Sequence, residues 1–144
     1  MFKNILIPTD GSSLSQRTAI RGVELAKATG AKVTAFYAAP AATPVVFRKS
    51  LPVGLSQPAE SAARIEREAK RHLGAIAAAA KKARVRFEGL HATDDYPVQA
   101  ILKVAKKKKC DVIVMATHGE RGLFTSSVTQ QVLEDAKIPV LVFR

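Results

Sequence analysis

Two hydrophobic rhythms alternate along this chain. Phe2 to Pro8 is a short apolar run ending at Pro8-Thr9-Asp10-Gly11, which predicts a buried strand and a turn. Ser12 or Ser13 can cap a helix, whose apolar positions Ala19, Ile20, Val23 and Ala26 recur near the helical period. Gly30 supplies a left-handed stop. Lys32 to Ala39 reads as a second strand. The helical period returns from about Pro58 at Ala62, Ile65, Ala69, Leu73, Ile76 and Ala80, with Arg64, Arg67, Lys70 and Arg71 mostly off that stripe. Val85 to Ala92 alternates apolar and charged residues, as a strand near a sheet edge does. Residues 93–97 turn the chain into a helix through Ile101, Leu102 and Ala105, closed by Lys106 to Lys109 where cations suit its negative end. Asp111 to Ala116 is nearly continuous apolar sequence, fitting a central parallel strand covered on both faces. A loop, Thr117 to Ser126, leads to a short helix with Val128, Val132 and Leu133. Ile138 to Arg144 is the last strand.

The resulting order, βαβαβαβαβ, specifies an α/β fold: an open parallel sheet with helices on both faces, because crossovers are right-handed. Such sheets bind ligands beyond the carboxyl ends of their strands, where strand order reverses. The site is therefore expected between Pro8 to Ser13 and Ala116 to Ser127. Pro40 to Pro58 holds four prolines and no clear period. It is long for a connection, so a mobile flap or functional loop is expected.

Composition narrows the class. The 144 residues suit one domain, and 47% hydrophobic with 24% charged residues is the balance of a soluble globule. The single Cys110 excludes a disulfide framework and a cysteine-pair metal site. No apolar stretch approaches the ~18 residues of a membrane span, and the first residues lack the features of a signal peptide. A cytoplasmic location is expected. The net charge of +11 favours anionic partners: nucleotides, nucleic acid or acidic surfaces.

Chemistry concentrates in two places. Gly119 and Gly122 permit close backbone approach in the loop after Ala116. The helix amides beyond it, with the Ser126 and Ser127 hydroxyls, can donate to phosphate. Ser127-Val128-Thr129-Gln130 also matches a capping box, in which the serines only cap. Asp10 can accept hydrogen bonds from a ribose diol, or close a turn onto its own backbone two residues on. His118 can touch a ligand or brace its loop. His72 and His91 share no metal-ligand spacing with it. Cys110 reads as a small buried hydrophobe. Gly-x-Gly-x-x-Gly and the lysine-containing phosphate loop are absent, as is any catalytic triad or carboxylate pair. Lys106 to Lys109 with Lys81, Lys82, Arg84 and Arg86 could face nucleic acid, but no aromatics interleave with them, and a solvated face is the favoured reading.

Three segments together resemble the universal stress protein family along the whole chain. They are Ile5-Leu6-Ile7-Pro8-Thr9-Asp10-Gly11-Ser12, Ile113 to Gly119, and Val128 to Leu133 followed by Ile138 to Val142. The resemblance implies a Rossmann-like sheet of order 3-2-1-4-5, of the adenine nucleotide alpha hydrolase-like type. It implies a homodimer through antiparallel pairing of the last strands, here Pro139, Val140, Leu141, Val142 and Phe143. It also implies a nucleotide crevice formed by Pro8, Thr9, Asp10, Ala38, Met115, Ala116, His118, Gly119, Ser126, Ser127 and Val128, with Asp10 at the ribose and Ala38 near adenine.

One branch of the family binds ATP through Gly-x-x-Gly, nine residues, then Gly-Ser or Gly-Thr. Here Ala116 replaces the first glycine, six residues (Glu120 to Thr125) follow Gly119, and the final pair is Ser126-Ser127. The expectation is a stress-response regulatory binding module, not a turnover enzyme, with an intact nucleoside half and a degenerate phosphate half. AMP or ATP, the latter with Mg, is the implied ligand, and a regulatory protein the implied partner. A weak ATPase and a polyanion-associating protein are the alternatives.

Overall fold

The computed structural model describes residues 1–39, 58–93, 96–117 and 126–144. Five strands form one parallel sheet: β1 (Asn4–Thr9), β2 (Lys32–Ala39), β3 (Phe87–Thr93), β4 (Val112–Ala116) and β5 (Val140–Phe143). Between them run α1 (Ser13–Thr29), α2 (Pro58–Ala83), α3 (Pro97–Lys107) and α4 (Ser126–Asp135). The strand order is β3-β2-β1-β4-β5, and every neighbouring pair is parallel.

Two apolar layers follow from the alternation of side chains on the pleat. Ile5 and Ile7, Val33 and Ala35, and Val112 and Val114 face α1 and α2. Leu6, Phe36, Ile113 and Met115 face α3 and α4. β1 and β4 are buried on both faces, which is why their sequences read as continuous apolar runs. Polar contacts pin the other end of the sheet. Asp111 accepts from the amides of Lys3 (2.8 Å) and Asn4 (3.2 Å), and Thr34 donates to the Asn4 side chain at 2.9 Å. This leaves the carboxyl ends of the strands as the end where loops can diverge.

Some boundaries and burials differ from the sequence pattern. α1 buries Ala19, Val23 and Ala26 as expected but leaves Ile20 41% exposed, because Ile20 points toward β5, beside which it lines a surface groove. α4 buries Val128, Thr129 and Val132, and Leu133 lies outside that stripe and is exposed. Ala62 is exposed and Ile65 half-buried. The 26 residues of α2 span about 39 Å, against about 26 Å for the eight of β2, so the helix start overhangs the sheet. Val85 and Arg86 precede β3: Arg84 takes φ 60° and the Val85 amide closes on the Ala80 carbonyl at 2.8 Å. Ile138 and Pro139 precede β5. The expected flap at 40–57 lies outside the described residues.

Candidate functional site

The sheet splits at its carboxyl end between β1 and β4. β1 pairs with β2 as far as Thr9↔Tyr37, but with β4 only at Ile5↔Val112 and Leu6↔Ile113. β4 meanwhile stays paired with β5 to Ala116↔Phe143, and the Thr117 amide extends that ladder to the Phe143 carbonyl at 2.8 Å. Pro8 accounts for the split. The Lys3 carbonyl accepts from Lys32 on the β2 side, and the Asn4 carbonyl from Asp111 on the β4 side. Backbone direction alternates along a strand, so the nitrogen of Pro8 faces β4 and has no hydrogen to donate. The crevice opens there, at the point where strand order reverses.

One wall of the crevice is the turn from β1 into α1. Asp10 Oδ1 accepts from the Ser12 amide at 2.9 Å and from the Ser15 hydroxyl at 2.8 Å. The turn reading of Asp10 is therefore realised, and the carboxylate lies near the positive end of α1. Thr9, fully buried, shares a 2.9 Å hydrogen bond with Ser15 and accepts from the Gly11 amide at 3.1 Å. Ser12 is the N-cap, its hydroxyl accepting from the Ser15 amide at 3.3 Å. Gly11 has φ 83°, a conformation that costs side-chain-bearing residues about 1–2 kcal/mol.

The opposite wall is the end of β4 and the start of α4. Thr129, buried in α4, donates to the Ala116 carbonyl at 3.0 Å and ties the helix to the strand end. Ser126 and Ser127 both fall inside α4, so Ser127 is not its N-cap. The capping box read at Ser127–Gln130 therefore does not start the helix, and Gln130 donates to Glu134 at 3.1 Å. Of the other expected site residues, Pro8, Ala38, Met115, Ala116 and Val128 are buried, while Ser127 is exposed. Ala38 and Met115 share the layer under α3 and α4. His118, Gly119 and Gly122 lie outside the described residues.

A side-chain cluster that the sequence did not single out packs behind the Asp10 turn. His72 of α2 stacks at 33° to the Tyr37 ring, with centroids 5.3 Å apart. Its Nδ1 lies 3.1 Å from the Gln16 amide nitrogen, and its Nε2 3.3 Å from Glu68. A Cβ on Gly11 would lie 2.5 Å from His72 Nε2, so the turn rests directly on the imidazole. Burial pushes the Tyr37 hydroxyl above its ordinary pKa, helped by the Glu68 and Asp10 carboxylates and opposed by Arg71. No local spacing links residues 11, 16, 37 and 72. Only the packing of α2 on α1 and β2 brings them together.

Away from the crevice, Cys110 is buried and its thiol is pushed up by desolvation, against a hydrogen bond with Thr34. A surface groove of about 610 Å³ lies between α1 and β5, with Leu14, Ile20 and Phe143 among Arg17, Arg21 and Arg144. The Arg21 guanidinium sits 5.9 Å from the centre of the Phe143 ring. Among the described residues no group of three or more His, Cys, Asp or Glu could hold a metal ion, and no helix is long and apolar enough to cross a membrane.

Comparison with known proteins agrees with this architecture. A universal stress protein of Methanocaldococcus jannaschii is 34% identical over 151 residues, spanning 100% of this chain and 83% of that protein. A universal stress protein solved in complex with cAMP superposes with a TM-score of 0.70 at 21% identity, covering 99% of this chain and 97% of that one. The Archaeoglobus fulgidus universal stress protein in complex with dAMP gives 0.69 at 19% identity, covering 99% and 98%. At such identities the two structures establish the shared adenine nucleotide alpha hydrolase-like fold. The family model of the universal stress proteins matches residues 1–144, and the chain belongs to the universal stress protein family.

Proposed function

We propose that this protein is a regulatory module that binds an adenine nucleotide in the crevice between β1 and β4. The observation that carries this reading is the split of the sheet after Leu6–Ile113, with Asp10 on one lip and the start of α4 on the other. Ligands of doubly wound sheets lie at such a switch point. Relatives of the same fold have been solved with cAMP and dAMP, each an adenine nucleotide with one phosphate. Asp10 would accept from the ribose hydroxyls, with Pro8, Thr9, Ala38 and Met115 beneath the nucleoside. The helix amides at Ser126 to Val128 would meet the phosphate. Ala116 in place of glycine and the shortened segment before Ser126 favour AMP over ATP with Mg.

Binding rather than turnover is the proposed role, because the Ser15 hydroxyl that meets the Asp10 carboxylate at 2.8 Å is buried and held within the turn. We further infer one domain, a cytoplasmic setting and a homodimer through β5. That strand is the sheet edge, and Leu141 on it is 41% exposed. An unpaired edge is a template for a second strand. Calorimetric titration with AMP and with ATP plus Mg tests the ligand. AMP binding that is lost in Asp10→Ala supports the reading. Release of ADP by the purified protein, abolished in the same variant, would replace it with the weak-ATPase reading.

A further inference from the structure

His72 lies on α2, outside the crevice, yet it touches the turn that forms one lip of it. Its side chain is 13% exposed. Gln16 of α1 fixes its tautomer. The Gln16 amide nitrogen lies 3.2 Å from the His72 carbonyl oxygen, which only accepts, so the nitrogen must point that way. The same nitrogen is 3.1 Å from His72 Nδ1. Nδ1 is therefore the acceptor, and Nε2 carries the hydrogen and faces Glu68. The imidazole is neutral in this arrangement.

Adding a proton to Nδ1 sets two donors against each other at 3.1 Å. Gln16 cannot relieve this by exchanging its amide atoms, because its oxygen would then face the His72 carbonyl. Its buried Oε1 has no hydrogen-bond partner among the described residues, so nothing else holds the amide in place. Gln16 must move, and its backbone amide makes the bond that opens α1, to the Ser12 carbonyl at 2.9 Å. The imidazole also supports Gly11 from below.

The charged and titratable groups around the ring are Glu68 and Arg71 from α2, Tyr37 from β2 and Asp10 from the turn. Glu68 is 40% exposed and shared with Arg71 at 3.1 Å.

We propose that neutral His72 is the positioning residue of the Asp10–Ser12 turn, and that protonating it loosens the turn and weakens binding of the nucleotide phosphate ester. The effect on affinity rests on the nucleotide reading above. The effect on the turn does not.

Two measurements separate these halves. In the free protein, nuclear magnetic resonance should show the Gly11 and Ser12 amides and the Gln16 side-chain amide shifting with the same midpoint as the His72 imidazole. Signals that stay still, or that follow another midpoint, overturn the proposal. Calorimetry with AMP at pH 8 and pH 5.5 then reads the affinity. One linked proton limits the loss to about tenfold per pH unit below the midpoint. His72→Gln offers Gln16 an acceptor and Glu68 a donor but cannot gain a proton. Its AMP affinity should fall less between pH 8 and pH 5.5 than that of the parent. Every other titrating group is common to both proteins, so the difference between the two profiles isolates His72. Identical profiles overturn the proposal. If AMP binds at neither pH, the nucleotide reading fails with the affinity half, and the resonance titration alone decides the turn.

Discussion

Replacing Asp10 by alanine removes at least two acceptor contacts at once. The bond from the Ser12 amide is charge-assisted, and such bonds contribute about 1.5–3 kcal/mol. Ser15 loses less, because its hydroxyl still has the Ser12 carbonyl at 3.1 Å and Thr9 at 2.9 Å. A carboxylate near the start of α1 adds about 0.3–1 kcal/mol. The turn is half-buried, so we expect a total loss of about 2–4 kcal/mol. For a chain of 144 residues, that corresponds to a fall of about 5–15 °C in Tm. Asp10→Asn keeps an oxygen in place and should lose about a third as much. Thermal melts of the three proteins by circular dichroism measure this, with AMP titrations run alongside. A Tm of Asp10→Ala within about 2 °C of the parent would show that the carboxylate does not hold the turn. A lowered Tm with unchanged AMP affinity would show that it holds the turn and does not touch the ribose.

Other perturbations reach different parts of the account. Gly11→Ala should lower the urea midpoint by the equivalent of about 2–4 kcal/mol, because a left-handed alanine is strained and its Cβ displaces His72. A midpoint like that of the parent would mean that the turn yields freely. Pro139 and Phe143 turn their carbonyls to β4, so Val142 presents its amide to the free edge, and Val142→Pro removes a donor there. Light scattering should then report monomers, and an unchanged dimer would locate the interface elsewhere. Desolvation raises the Cys110 pKa above its ordinary 9.0, so the folded state keeps a proton that the unfolded chain releases. Stability therefore declines as pH rises above about 9. Cys110→Ala should flatten that decline in urea titrations, and an equal slope in both proteins would contradict the assignment.

The fold was legible because each strand and helix carries its own period and punctuation. Ser12 and Gly30 begin and end α1 through constraints that act within a few residues. The errors lie where a third body decides. Ile20 fits the helical period of α1, yet it faces the groove beside β5. Leu133 fits the period of α4 but falls outside its buried stripe. The capping box at Ser127–Gln130 had suitable residues, but α4 begins at Ser126, two residues before the start that a Ser127 cap would set.

The candidate site divides in the same way. Asp10 was found because a carboxylate after a buried strand has few roles, and its turn reading was local. That Pro8 parts β1 from β4 follows from which neighbour its nitrogen faces, a property of register that appears only when the sheet is assembled. His72, Gln16 and Tyr37 come from three different elements, 56 positions separating Gln16 from His72, and meet only through tertiary packing.

A crystal structure of the protein with AMP tests the central claim most directly. The account predicts the adenosine between the carboxyl ends of β1 and β4, with a ribose hydroxyl within about 3 Å of the Asp10 carboxylate and the phosphate at the start of α4. AMP found instead in the groove of Arg17, Arg21 and Phe143, with the β1–β4 crevice closed, would contradict it.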